Sequence, residues 1–438
     1  MPVGPANDSP APGVNEVAAQ GLRAGQRVPV PYYVKGLALG IPPYLVAIHL
    51  WTWILIVPGA LATGGYDFRQ VYAAAYMIRT GHGNELYDYN AQKEFQNALV
   101  SREDVALPFV SPAYEAWVLA PLSLLPFRSA YCAFLGLNLI ALWLCFALLR
   151  PWMGNLRAIY PWLPGALFLG FLPVATALIE GQDSVLLTLL LTAAFVCLIR
   201  NRNFAAGILT GMGLFKFPIV LPIALLFLLW RRWNFLFGFA LAAGALAATC
   251  VWLTGVPQTK LYAETLLSVA GITPIKTALA LYPVNWKIMA NVHGLVVGTV
   301  GKLLPPGQIS AITILISLGV LLWTAWRGTR VKSAAALLLL AIPCSVLVSH
   351  HTNPHDLSVL ILPVVIMLNV FLPFEEGKQP ERAMARAAAL VFVVPVMESY
   401  SLTHFYLGAL AVLFLLWGTA SAAQNQNLLS QAREFETQ

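Results

Sequence analysis

The sequence predicts an all-α polytopic membrane protein, on three observations. Hydrophobic residues make up 59% of its 438 residues and charged ones only 10%, against roughly 25% charged in an ordinary soluble domain. Apolar runs of about 20 residues, enough to cross a bilayer as a helix, recur from Lys35 to Ala423. The alternating ten-residue strands of a membrane barrel are missing, whereas helices satisfy their own backbone hydrogen bonds in lipid. The net charge of +7 does not point to nucleic acid, because Lys and Arg sit in short loops between apolar runs, where they set orientation.

Residues 1–34 are rich in Pro, Ala and Gly without a signal-peptide core and read as a disordered cytoplasmic tail. Arg23, Arg27 and Lys35 precede the first span, so the positive-inside rule puts Asp67 outside. A charged outer loop, residues 62–127, follows and reads as a partly helical cap at the interface. Its run Ser111 to Phe127 carries three prolines and is expected to lie along the outer surface or dip in. If it crossed, Arg150, Arg157, Arg200 and Arg202 would all lie outside. The second crossing is therefore Arg128 to Leu149. A third, roughly Pro161 to Ile179, leads out to Glu180-Gly181-Gln182-Asp183, and a fourth returns to Arg200-Asn201-Arg202.

Between Arg202 and Arg231-Arg232 both ends read as inside, yet the interval is too short for two full spans. Two short helices of about 13 residues, or about 20 Å each, meeting at Lys216-Phe217-Pro218 fit. One long tilted helix with Lys216 snorkelling is the alternative. A seventh span, near Phe235 to Leu253, opens a second outer loop, residues 254–308. Ile309 to Trp326 comes in, Ser333 to Ser349 goes out to His350-His351-Thr352-Asn353-Pro354-His355-Asp356, and Leu357 to Leu372 comes in to the charged stretch Glu375 to Arg386. A last hairpin through Glu398-Ser399-Tyr400 ends in a cytoplasmic tail, residues 424–438. The transmembrane domain, residues 35–423, thus has about twelve helices, with its notable polar clusters on the outer face. Its five cysteines lie in apolar runs at irregular spacing and read as free thiols, not as a disulfide framework or zinc site.

Asp67 stands between Tyr66 and Phe68 where the first span ends, suited to accept a proton from a substrate hydroxyl. Lys216 and the histidines His350, His351 and His355 offer cationic or donating groups for a phosphate that develops charge as it leaves. Structural or pore-lining histidines are the other reading. No metal or cofactor is expected, since adjacent His350 and His351 cannot both point into one helical site. Gln182, in Gly181-Gln182-Asp183, begins a helix whose amides can receive phosphate oxygens, unless Asp183 merely caps it. Glu180, Asp88, Asn285 and Trp286 are further candidate substrate contacts. Tyr282, Trp286 and Trp252 could stack on sugar or belong to an interfacial aromatic belt.

The order of these pieces resembles glycosyltransferase family 87, polyprenyl-phosphate-sugar-dependent enzymes of the GT-C superfamily. The matching stretches are Tyr66-Asp67-Phe68 with Ala73-Ala74-Ala75, Gly81 to Asp88, Pro108 to Pro112 with Ala120-Pro121-Leu122, Glu180 to Leu187, and Gly207 to Gly211 leading into Lys216-Phe217-Pro218. The resemblance covers roughly residues 36 to 420. It implies a GT-C-like bundle and an inverting transfer of a sugar, mannose favoured, from a polyprenyl-phosphate donor to a glycolipid or envelope glycan. The transfer is expected on the outer, periplasmic face of the plasma membrane. It also implies Asp67 as general base, and Lys216 with one of the three histidines at the donor phosphate. The chain departs from the family in reading Val110-Ser111-Pro112 for a tyrosine and double proline, and in lacking a serine within Leu281 to Leu295. Two competing readings are weighed. An O-antigen-ligase-like transferase calls for arginines in the late outer loop, which carries lysines here. A lipid or ion transporter calls for interrupted helices in matching halves, and only one short-helix pair is found.

Overall fold

Apolar runs punctuated by Pro and Gly fold as the hydropathy pattern predicts. A computed structural model describes residues 32–64, 67–269, 285–371, 386–396 and 404–424, in which every regular element is an α- or 3-10 helix. Most of both tails, Tyr66, Tyr282, residues 375–385 and Glu398-Ser399-Tyr400 lie outside the described residues.

Among the described residues six helical stretches are long and apolar enough to cross a membrane, and a bent pair makes a seventh. The first is α1 (Tyr32–Thr63). The first loop then forms α2 (Phe68–Arg79), α3 (Tyr89–Leu99) and α4 (Ala113–Val118), before α5 (Phe127–Leu149). The run Ser111 to Phe127 is indeed broken, into α4 and a 3-10 turn at Ala120–Leu124. Within this cap Arg69 is buried, its guanidinium donating to Gln96, Asn97 and Ser101, while Phe68 stacks on Phe134 at 5.0 Å.

The bent pair is α6 (Leu163–Gly170) and α7 (Leu172–Glu180), which meet at 55° because Pro173 starts α7 and Phe171 is extended. After α8 (Ser184–Ile199) come α9 (Asn203–Met212), a 3-10 turn Gly213–Lys216 and α10 (Phe217–Leu229). Residues 203–229 pass from helix to 3-10 turn to helix without a loop, but Lys216 leaves the helical region (φ −109°, ψ 56°) and the chain folds back there. A Cβ on Gly207 would overlap the Phe235 carbonyl, and the Phe227 ring stacks on Phe235 at 3.9 Å. In a straight helix residues 207 and 227 would stand about 30 Å apart. The short-helix pair with Lys216 at its tip is therefore present, and the single tilted helix is not.

One expectation is corrected. The helix of the seventh span breaks at Gly255 (φ 75°, ψ 165°), close to its expected end, but the stretch read as loop from Thr254 is itself helical, so that α11 (Trp233–Val269) is two helices across a kink ahead of Pro257. The resumed part docks on the first loop: Tyr262 stacks on Tyr87 at 4.8 Å, and Gln258 accepts the Tyr87 amide N–H at 3.0 Å. The second loop continues into α12 (Val292–Val300), then α13 (Pro306–Gly328). Next is α14 (Ala334–Val348), apolar all round and almost wholly buried at the bundle centre, as such a sequence requires. A 3-10 helix Pro354–Leu360 leads into α15 (Ile361–Phe371), and after Arg386–Val396 comes α16 (Gly408–Gln424). Among the described residues a helical element lies at each of the twelve expected positions, with the hairpin arms counted separately and the bent pair as one, but only six or seven stretches are long and apolar enough to cross a membrane.

The hairpin fixes two ends of the bundle. Trp230 donates to the Ala325 carbonyl at 2.8 Å, and Arg232 to the Val331 and Lys332 carbonyls, gathering Arg231, Arg327 and Arg330 at one end. Lys216 lies at the other.

Candidate active site

Four chain segments converge at the Lys216 end. Gly181 terminates α7 in the left-handed region (φ 64°, ψ 47°), where glycine is favoured, and the Tyr131 hydroxyl donates to the Ile179 carbonyl. A Cβ on Gly181 would lie 2.7 Å from Phe68 Cβ, so the turn Glu180-Gly181-Gln182 is seated directly beneath the start of α2. Asp67 occupies the N-cap position there but makes no side-chain cap hydrogen bond. Its carboxylate instead accepts from Gln182 Nε2 at 2.5 Å. With helical backbone angles (φ −58°, ψ −27°) Asp67 lacks the extended conformation from which a capping side chain reaches the first turn's amides, which leaves its carboxylate to Gln182.

Gln182 links two groups, because its Oε1 accepts from Lys216 Nζ at 3.2 Å. The Lys216 ammonium also lies 2.9 Å from Asp183 and 3.2 Å from Asp356. Asp356 is held further by Ser184 Oγ at 3.0 Å and by the Asn353 amide at 2.9 Å. His355 is buried, with Nδ1 2.6 Å from Glu180 and Nε2 3.5 Å from Asp356. The Asp67, Glu180 and His355 side chains each place one ligand atom within 4.8 Å of the other two. Burial first, and then the neighbouring Glu180 carboxylate, raise the Asp67 pKa against the opposing pull of His355, Gln182 and Lys216.

The structure thus brings Asp67, Glu180, Gln182, Lys216 and His355 together. Of the three histidines only His355 contacts the acids. His350 faces His293 with ring centres 4.6 Å apart, and burial lowers the pKa of His350 and takes that of His351 down to about 4. Lys216 is not a free cation awaiting an anion, since two carboxylates already hold it. Asp183 sits at the start of α8 without capping it, and the Gln182 amide is taken by the Ala177 carbonyl, so Gln182 takes part through its side chain.

The remaining candidates stand apart. Asp88 caps α3 through the Asn90 and Ala91 amides. Asn285 accepts from the Lys287 amide, and the Trp286 ring lies beside Tyr406. Asn291, from the same loop, caps α12 through the Gly294 amide and donates to the Ser349 carbonyl. Trp252 is 75% exposed, as an interfacial aromatic would be.

Sequence reasoning missed Glu115. It sits on α4, fully buried, and burial with the neighbouring Asp183 charge raises its pKa well above the usual carboxylate range. A lone acid in an otherwise apolar run was the available signal. Asp356 was also overlooked as a partner, although it abuts His355 in sequence.

The model for glycosyltransferase family 87 matches residues 109–350, more than half of the chain and the stretch that carries Glu115, Glu180, Gln182, Asp183 and Lys216. Asp67, His355 and Asp356 lie outside the matched stretch. No curated protein and no solved structure matches the chain.

Proposed function

Since the chain belongs to glycosyltransferase family 87 and is a membrane glycosyltransferase, we propose that it moves a sugar, mannose favoured, from a polyprenyl-phosphate donor to a hydroxyl of a glycolipid or envelope glycan. The reaction takes place on the outer face of the plasma membrane and inverts the anomeric centre. The observation that carries this reading is the Asp67 carboxylate, which accepts from Gln182 and lies close to Glu180 and His355 instead of bonding its own helix.

In the reaction Asp67 accepts the acceptor's hydroxyl proton as that oxygen bonds the anomeric carbon. The bond from the carbon to the phosphate oxygen breaks, and polyprenyl phosphate leaves with the electron pair. A desolvated carboxylate is the stronger base, and general-base catalysis contributes about 10²–10⁴-fold. His355, the one of the three histidines that contacts these acids, is assigned to the departing phosphate. Gln182 holds Asp67 in line, and Lys216 fixes Gln182 and the two acids behind it.

The test is transfer by the purified protein in liposomes with polyprenyl-phosphate-mannose and candidate acceptors, comparing wild type with Asp67→Asn. A loss of two or more orders of magnitude in a folded variant is expected. Full activity would remove Asp67 from the mechanism, and movement of the lipid without transfer would sink the enzyme reading.

A further inference from the structure

The reaction centre is short of positive charge. Besides Glu115, whose proton burial retains, four acids, Asp67, Glu180, Asp183 and Asp356, meet there with Lys216 and His355 and, among the described residues, with His351, which burial keeps neutral by taking its pKa down to about 4. Lys216 is held by Asp183 and Asp356, and His355 by Glu180. A phosphate-bearing substrate entering this field meets like charge, which needs a counter-ion beyond these side chains.

From this surplus and the placement of three side chains, the geometry points to a divalent-cation site formed by the Asp67 and Glu180 carboxylates and the His355 imidazole. Their ligand atoms lie within 4.8 Å of one another and come from the start of α2, the end of α7 and the 3-10 helix Pro354–Leu360. A six-coordinate ion with bonds of about 2.1 Å holds adjacent ligands about 3 Å apart and opposite ones about 4.2 Å apart, so small rotations suffice. Each flanking group has the position that orients a ligand. His355 turns Nε2 toward Asp356, leaving Nδ1 for the ion, and Gln182 bonds one Asp67 oxygen, leaving the other. The ion would displace the proton now shared by His355 and Glu180 at 2.6 Å. One nitrogen and two carboxylate ligands suit an ion such as Mn²⁺, and three protein ligands leave positions for phosphate oxygens or water. The ligand set stands on the side chains alone, whereas the need for a counter-ion rests on the phosphate-donor reading, in which the bound ion takes over from His355 at the leaving oxygen.

The test measures binding without substrate, so its failure is distinct from failure of the transfer reading. Full-length protein in detergent is stripped with a chelator, desalted and titrated with Mn²⁺, with the free ion read by its paramagnetic resonance. One ion per chain is expected. Glu180→Gln and His355→Ala should each weaken binding at least tenfold, and Glu94→Gln, on the exposed face of α3, should not. Pulsed resonance on the wild-type complex, which needs no variant to fold, should detect coupling to one histidine nitrogen. No stoichiometric binding by the stripped protein, binding unchanged in both variants, or no nitrogen coupling would each overturn the site.

Discussion

The Lys216 ammonium lies 2.9 Å from the Asp183 carboxylate, tying the tip of the α9–α10 hairpin to the first turn of α8. Lys216→Met leaves Asp183 and Asp356 facing each other without a cation. Breaking a buried ion pair from one side costs about 3–5 kcal/mol, so a large drop in melting temperature in detergent is expected. The double variant Lys216→Met/Asp183→Asn should recover part of it. Equal losses in single and double variants would show that the pair carries no coupling.

Glu115 gives a pH signature. Its pKa is raised in the folded protein, so the fold retains a proton that the unfolded chain releases from about pH 4.3 upward. Wild-type stability therefore falls as pH rises from that point toward the folded pKa. Glu115→Gln cannot ionise and escapes this loss. Its melting temperature should match wild type near pH 4 and exceed it at pH 7, and a pH-independent difference would contradict the assignment.

Gly207 allows α9 to touch α11. Any Cβ there meets the Phe235 carbonyl and the Phe239 amide, both backbone, so Gly207→Ala should sharply reduce the monodisperse fraction on size-exclusion chromatography. Gly36→Ala, with open space around its Cβ, should not.

Gly181 separates activity from stability. Gly181→Ala strains the left-handed turn by about 1–2 kcal/mol and presses on Phe68. The turn that holds Glu180 and Gln182 against Asp67 then shifts. Transfer should fall at least tenfold while the protein still purifies as a folded species. Loss of activity only in proportion to loss of folded protein would mean that the turn merely supports the fold.

Much of the helix bundle was legible because lipid imposes it. A run of apolar residues between basic loops has few alternatives to a span, and the hairpin around Lys216 followed from basic residues at both ends of an interval too short for two crossings. The resumption of α11 after Gly255 was not legible, because Pro257 normally ends a helix, and the aromatic contact that rewards continuing, Tyr262 on Tyr87, joins distant residues. The site was half legible. Asp67, Gln182, Lys216 and His355 were marked by being polar in apolar surroundings. That Lys216 is neutralised by Asp183 and Asp356 depends on contacts across more than thirty and more than a hundred residues, which no local pattern carries.

The helices that bear the site are short. At about 1.5 Å per residue, α8, α10 and α14 measure roughly 20–24 Å, less than a hydrocarbon core of about 30 Å. Measured from the basic end, their far ends stop below the plane reached by a full-length span, beneath two loops clasped through Tyr87 and Tyr262. The activated glycosyl phosphate we propose as donor would, in such a recess, be kept from bulk water, which outnumbers any acceptor hydroxyl. On the proposed reaction, the short helices would protect such a donor from being wasted by hydrolysis.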